Sequence, residues 1–144
     1  MGTRSTITVK FTKDGKYRGI YCHWDGYPAH VGKMLLEHYN SQVGAELVVS
    51  EGDLSSLNES MEKPKGHCFA TPVEGYSIAY KRDRGEKGTR ARVGKEYPLK
   101  QLLDCWQKYE YLWDGERWLV CTPSNRDEKI PLTDHPLIQG VQTP

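Results

Sequence analysis

The sequence lacks any long hydrophobic run, because its apolar residues come in stretches of only a few positions. A membrane-spanning helix needs about 20 consecutive apolar residues, so none is predicted. The N-terminus also lacks a basic stretch followed by an apolar one, which is the layout of a secretory signal peptide. We therefore expect a cytoplasmic protein in a reducing compartment.

The motifs that mark many enzymes are missing as well. The chain contains no Walker loop, no Rossmann glycine fingerprint, no G-x-S-x-G and no H-E-x-x-H. Its four cysteines form no C-x-x-C pair. No cofactor is predicted, and the sequence favours a non-enzymatic protein while leaving catalysis open.

The composition that remains is that of one globular domain. The 144 residues are 37% hydrophobic and 27% charged, with a formal net charge of +1. A domain of this length buries roughly two-thirds of its unfolded-chain surface, which is enough for a hydrophobic core. We predict a single domain over residues 1–121 and an irregular C-terminal tail over residues 122–144 that packs on it.

Alternating apolar residues and turn signals predict the strands. The first hairpin is expected over residues 3–24, turned by Asp14-Gly15, and a second over residues 109–120, turned by Asp114-Gly115. A further strand is expected at residues 76–80. These hairpins indicate a mostly antiparallel sheet.

Helical spacing of apolar residues predicts two helices, at residues 30–40 and 98–106. Residues 45–49 are compatible with either a helix or a strand. Residues 52–57 are expected to form a turn, and residues 58–75 a long connection. The predicted fold class is therefore α+β, with about two helices packed on one face of the sheet.

An aromatic turn after the second predicted strand is the first candidate site. It has the sequence Cys22-His23-Trp24-Asp25-Gly26-Tyr27-Pro28. His23 and Asp25 are the residue types of a general acid and base, while Trp24 and Tyr27 offer stacking surfaces for a planar ligand. The alternative is structural: the two aromatics pin the first helix and Asp25 caps the turn.

A basic segment, residues 81–95, is the second candidate site. It holds seven cations against two carboxylates, a net charge of +5, so the rest of the chain carries −4. The predicted binding residues, besides Trp24 and Tyr27 of the aromatic turn, are Arg82, Arg84, Lys87, Arg90 and Arg92. Guanidinium forks suit phosphates and carboxylates, so a nucleotide, a nucleic acid or an acidic protein surface is an expected ligand. The alternative is internal pairing of these charges.

A metal site is a minor alternative. Two adjacent pairs, Cys22-His23 and His67-Cys68, combine the two commonest ligand types for zinc. Neighbouring residues on a strand point to opposite faces, so the first pair is poorly placed to supply two ligands to one ion. Buried free thiols are the favoured interpretation of the cysteines.

Five motifs together resemble those of a family of small proteins from bacteriophages and prophage-carrying bacteria. They are Met1-Gly2-Thr3-Arg4-Ser5, Ile20-Tyr21-Cys22-His23-Trp24-Asp25-Gly26-Tyr27-Pro28, Gly52-Asp53-Leu54-Ser55-Ser56-Leu57, Ala79-Tyr80-Lys81-Arg82-Asp83-Arg84-Gly85-Glu86 and Tyr111-Leu112-Trp113-Asp114-Gly115. The resemblance covers about residues 1–121 and brings no reaction with it. It implies a phage setting, in which small single domains bind and block a host component such as a defence system.

The leading hypothesis is therefore a phage-type binding protein that inhibits a host protein or protein–nucleic acid complex, in the manner of an anti-CRISPR protein. It would act through the basic segment and the aromatic turn. One alternative is a small enzyme or nucleotide binder, with His23 and Asp25 as acid and base and with Arg82 and Arg84 on phosphate. A second alternative is a structural accessory that forms a homodimer.

Overall fold

The computed structural model describes residues 3–138, and within that range eight strands form one sheet. Their order is β4-β3-β2-β1-β6-β7-β8, with β5 paired to β2. The strands are β1 (Ser5–Lys10), β2 (Tyr17–Cys22), β3 (Leu54–Ser56), β4 (Ile78–Ala79), β5 (Arg92–Gly94), β6 (Tyr109–Trp113), β7 (Trp118–Cys121) and β8 (Ile130–Pro131). Most neighbours are antiparallel, which confirms the α+β fold class.

Both predicted hairpins are confirmed. β1 pairs with β2 from Ser5↔Cys22 to Lys10↔Tyr17, and β6 pairs with β7 from Glu110↔Cys121 to Trp113↔Trp118. Gly15 in the first turn has φ of +69°, a left-handed conformation that glycine adopts without steric cost. A parallel pairing of β1 with β6 joins the two hairpins into one sheet.

The prediction of a turn at residues 52–57 was wrong, because three of these residues form β3. This strand pairs with both β2 and β4, and its Leu54 side chain is completely buried. Burial and strand pairing here override the local turn preference of the two serines. The third predicted strand is present but short, since β4 ends at Ala79 and Tyr80 begins a helix.

Three α-helices lie within the described residues: α1 (Lys33–His38), α2 (Gln42–Ser50) and α3 (Tyr80–Arg84). A π-helical turn, Pro28–Gly32, leads into α1, so the first predicted helix is confirmed in outline. The ambiguous residues 45–49 are helical. Ser41 caps this helix, since its hydroxyl oxygen accepts a hydrogen bond of 3.0 Å from the Gly44 amide.

The predicted helix at residues 98–106 was wrong, because only a 3-10 turn, Lys100–Leu102, forms there. Leu99 and Leu102 are buried, whereas Trp106 is 79% exposed and has φ of +60°. The helical spacing of the apolar residues therefore does not correspond to one buried helix face. The left-handed conformation of Trp106 is also incompatible with an α-helix at that residue.

The two faces of the sheet are covered by different kinds of structure. α1 and α2 pack on one face, where Ile7, Val9, Ile20, Val31, Leu35, Val48, Tyr111 and Trp118 form the main apolar core. The segment around the 3-10 turn covers the other face. A Cβ atom on Gly19 of β2 would lie 2.7 Å from the Leu102 side chain, so any larger residue at this position would force that side chain to shift.

The segment that follows Thr122 takes part in the sheet through β8. Two 3-10 turns flank that strand, Pro123–Glu128 and Leu132–Asp134, and the Leu132 side chain is completely buried. The predicted tail beyond residue 138 lies outside the described residues. None of the helices within residues 3–138 has the length and apolar character that crossing a membrane requires.

Candidate binding site

The basic segment folds into a helix, an exposed loop and a strand that surround a groove of about 590 Å³. We call this the basic groove, and it is lined by Lys81, Gly85, Glu86, Lys87, Gly88, Arg90 and Arg92. Four cations thus face one carboxylate. Such a concave, cationic surface concentrates positive potential on whatever enters it.

Three of these cations are available for a ligand. The side chains of Lys81, Lys87 and Arg90 are exposed, and none of them makes an ion pair within the described part of the chain. Lys81 was counted in the basic segment but was not among the predicted binding residues. Its place in the groove follows from α3, whose end at Gly85 turns the chain back through a left-handed residue with φ of +73°.

Arg92 anchors the groove to the sheet instead. Its guanidinium forms an ion pair with Asp53 and also donates to the Arg90 carbonyl oxygen over 3.2 Å. The Asp53 carboxylate in turn accepts a 2.8 Å hydrogen bond from the Tyr21 amide of β2. Burial raises the pKa of Asp53, although the Tyr21 amide and Arg92 act against this shift.

Arg82, by contrast, faces the interior. Its guanidinium donates to the carbonyl oxygens of Met61, over 2.6 Å, and Ser77, over 3.1 Å, and it also binds both carboxylate oxygens of Asp83. Arg84 lies over the Phe69 ring at 4.7 Å and sits 3.7 Å from the Glu86 carboxylate. These two arginines therefore follow the alternative of internal pairing, and neither lines the basic groove.

Asp83 is the centre of the cluster that holds α3 in place. Its buried carboxylate accepts a 2.8 Å hydrogen bond from the Ala79 amide and lies 3.3 Å from Nε2 of His67. Nδ1 of His67 accepts from the Val73 amide, so Nε2 is the nitrogen that donates to Asp83. Burial raises the pKa of Asp83, but the hydrogen bonds from Arg82 and Ala79 outweigh it and leave the pKa below 3.8.

This lowered pKa predicts a loss of stability in acid. The unfolded chain takes up the Asp83 proton at a higher pH than the folded chain does, so the contribution is complete well above 3.8 and disappears as the pH falls through the lowered pKa. In urea unfolding measured from pH 7 down to pH 3, we expect the stability gap between wild type and Asp83→Asn to narrow in acid. The exposed Asp104→Asn should leave the wild-type pH profile unchanged, and a constant Asp83→Asn gap would contradict the assignment.

The aromatic turn is held in place by backbone contacts. The Tyr111 hydroxyl donates to the Gly26 carbonyl oxygen over 2.6 Å, and the Gly26 amide donates to the Thr3 carbonyl oxygen over 2.7 Å. Trp24 and Tyr27 are nonetheless exposed. Their exposure leaves both rings accessible from solvent, and their role as binding residues stays a prediction.

His23 and Asp25 are not brought together with the arginines. Nδ1 of His23 lies 2.6 Å from the Tyr21 hydroxyl, and its ring meets Trp24 edge-on at 4.6 Å. Burial, with a smaller contribution from Arg4, lowers the pKa of His23. Within residues 3–138, no hydrogen bond, ion pair or ring contact joins His23 or Asp25 to Arg82 or Arg84, and none of the four lines the basic groove.

Within the described residues, the side chains of the Cys22-His23 pair and those of the His67-Cys68 pair make separate contacts and do not share a partner. The Cys22 thiol is buried near the Trp24 carbonyl oxygen, and burial raises its pKa to about 12. Cys68 contacts Thr71, and His67 is engaged by Asp83. Among residues 3–138, no three side chains of histidine, cysteine, aspartate or glutamate come together in a way that would hold a metal ion.

A second groove, of about 600 Å³, adjoins the basic groove. It runs between α2 and β5, and we call it the apolar groove because Phe11, Val43, Leu47, Val49, Ala91 and Val93 line it. Lys81 and Arg90 line both grooves. The two grooves therefore share a cationic boundary.

The fold and the grooves define this chain as an α+β domain with two adjoining grooves, one cationic and one partly apolar. No protein-family model, curated protein or solved structure matches the chain.

Proposed function

We propose that this chain is a non-enzymatic binding protein that engages an acidic surface of a partner macromolecule through the basic groove. The observation that supports it most is the convergence of Lys81, Lys87 and Arg90 on one groove without ion-pair partners in the described chain. Cations left unpaired in this way steer an oppositely charged partner and fix its orientation. Trp24 and Tyr27 would add aromatic contacts of the kind that dominate binding interfaces.

The partner we propose is a host component. The resemblance to phage and prophage proteins supports a setting in which a small domain blocks a host protein or a protein–nucleic acid complex, such as a defence system of the kind that anti-CRISPR proteins inhibit. The site of action would then be the cytoplasm of the bacterial host. An anionic patch that the host component uses for its own interactions is what the basic groove would cover.

The enzyme alternative has less support than the binding function. It needs Arg82 on a phosphate, yet four of the contacts of that guanidinium are already made inside the protein. Freeing Arg82 would leave Asp83 buried without its main counter-charge. The homodimer alternative is separable by light scattering over a concentration series, since a binding protein of the proposed kind does not require a second copy.

Charge reversal in the groove tests the proposed function. We expect the double variant Lys81→Glu/Arg90→Glu to bind fluorescent poly-glutamate roughly tenfold or more weakly than wild type in anisotropy measurements at low salt. Wild-type binding should weaken as salt is added, because exposed charges are screened. Circular dichroism should show the same fold, since both side chains are exposed.

The matched control reverses two exposed lysines elsewhere, Lys33→Glu/Lys65→Glu, which changes the net charge equally. That control should retain most of the wild-type affinity. An equal loss in both double variants would show that net charge alone governs binding, and the basic groove would then not be the site.

A further inference from the structure

The surface that adjoins the basic groove carries unusual apolar exposure. Val43 and Leu47 lie on the outer side of α2 and are 80% and 46% exposed, and Val93 of β5 is 45% exposed. All three line the apolar groove. Contiguous apolar surface that is rimmed by polar residues marks sites of interaction with a partner.

Charge is distributed unevenly along the two grooves. The unpaired cations lie in the basic groove and at the boundary that the two grooves share, whereas Glu46 and Glu51 line the apolar groove. Glu46 accepts a 2.7 Å hydrogen bond from Gln42, and Arg18, also in this groove, is paired with Asp14. A ligand that spans both grooves therefore meets unpaired cations in the basic groove and an aliphatic surface with two carboxylates in the apolar groove.

This distribution of charge disfavours a nucleic acid. A phosphate backbone carries negative charge along its whole length, so it would be repelled where Glu46 and Glu51 line the path. Bases also need exposed aromatic faces to stack on. The aromatic residue of the apolar groove, Phe11, has a face covered by the Arg18 guanidinium at 4.3 Å.

We infer that the segment of the partner that docks here is a polypeptide in which a block of acidic residues adjoins a block of aliphatic ones. The carboxylates lie over Lys81, Lys87 and Arg90, and the aliphatic side chains fill the apolar groove beside Val43, Leu47 and Val93. This inference rests on the proposed function and adds the chemical class of the partner. The acidic block provides orientation, while burial of aliphatic surface provides most of the affinity.

Three labelled probes test the inference by fluorescence anisotropy. The first is a short peptide with a block of glutamates followed by a block of leucines and valines. The second has serine in place of every aliphatic residue, and the third is an oligothymidylate with the same number of negative charges. We expect the first peptide to bind roughly tenfold more tightly than the second, which corresponds to burial of one or two aliphatic side chains.

The double variant Val43→Gln/Leu47→Gln should remove this tenfold preference, because glutamine is hydrophilic yet is also a good helix former. The control Leu103→Gln replaces an exposed leucine outside both grooves and should keep the preference. Methyl resonances of Val43 and Leu47 in the wild-type protein give a second measurement that needs no variant. They should shift when the first peptide is added and stay in place when the oligothymidylate is added.

The outcomes separate the inference from the proposed function. If both peptides bind equally, if the oligothymidylate binds as tightly as the first peptide, or if the methyl resonances do not move, the inference is overturned. The proposed function still stands in those cases as long as binding depends on Lys81 and Arg90. If no probe depends on Lys81 and Arg90, the proposed function itself fails.

Discussion

Asp83→Ala is expected to lower the free energy of unfolding by about 3 kcal/mol, as measured by urea unfolding at pH 7. The substitution removes the carboxylate that accepts hydrogen bonds from the Ala79 amide, from His67 and from the Arg82 guanidinium. Arg82 is only 15% exposed, so its charge would be left largely desolvated and without a counter-charge. Breaking one partner of a buried pair costs more than the pair itself contributes.

The Asp83→Ala substitution should also weaken binding at the basic groove. Asp83 holds the first turn of α3, and Lys81 extends from that same turn. We therefore expect poly-glutamate binding to weaken in Asp83→Ala even under conditions where the variant is fully folded. The exposed Asp104→Ala serves as the control, with a change within about 0.5 kcal/mol. Equal stability of the two variants would show that the buried cluster does not support α3.

Arg126→Met is expected to lower the free energy of unfolding by about 3 kcal/mol at pH 7. The cause is a buried ion pair on the sheet face that the 3-10 turn covers, where Gln107 binds both Glu110 and the Leu102 carbonyl oxygen. The Glu110 side chain of β6 is only 2% exposed, and Arg126 binds it through Nε and through Nη2, the latter at 2.6 Å. Burial raises the pKa of Glu110, but Arg126 and Tyr97 outweigh it and lower the pKa below its ordinary value. Methionine fills a similar volume but leaves the carboxylate with neutral donors.

The pH dependence of this variant distinguishes charge from packing. Without Arg126, burial should raise the folded pKa of Glu110 above its unfolded value, so the variant regains stability as the pH falls and the carboxyl group takes up a proton. A deficit that is the same at pH 7 and pH 4.5 would point to lost packing instead. The exposed Arg117→Met, in the turn between β6 and β7, should change the stability by no more than about 0.5 kcal/mol.

Elements that depend on nearby residues were predictable from sequence. Each hairpin combines alternating apolar residues with an Asp-Gly turn, and both kinds of signal lie within a few residues of each other. The parallel pairing of β1 with β6 joins residues that are far apart along the chain, and the sequence contains no local signal for it. β3 likewise forms through pairing with β2 and β4, which are distant along the chain. Its own residues have turn preferences, so the sequence alone predicted a turn.

The location of the positive charge could be predicted from the sequence, but the directions of the charged side chains could not. Counting cations located the basic segment, because a net charge of +5 over fifteen residues needs no structure to detect. Charge counting does not show which way a side chain points. Arg82 turns inward because Asp83, Met61 and Ser77 offer it acceptors, while Lys81 on the same short helix faces the groove. The apolar groove was not anticipated, since Val43 and Leu47 resemble ordinary core residues of an amphipathic helix.

The strands at the two ends of the sheet order are only two residues long. β4 lies at one end and β8 at the other, and β8 includes Pro131, which has no amide hydrogen to donate. Such short edges, with a proline in β8, give another chain little backbone to pair with, which is one way in which β-proteins avoid aggregation. At these two ends of the sheet order, association with a partner must therefore depend on side-chain surfaces more than on backbone pairing.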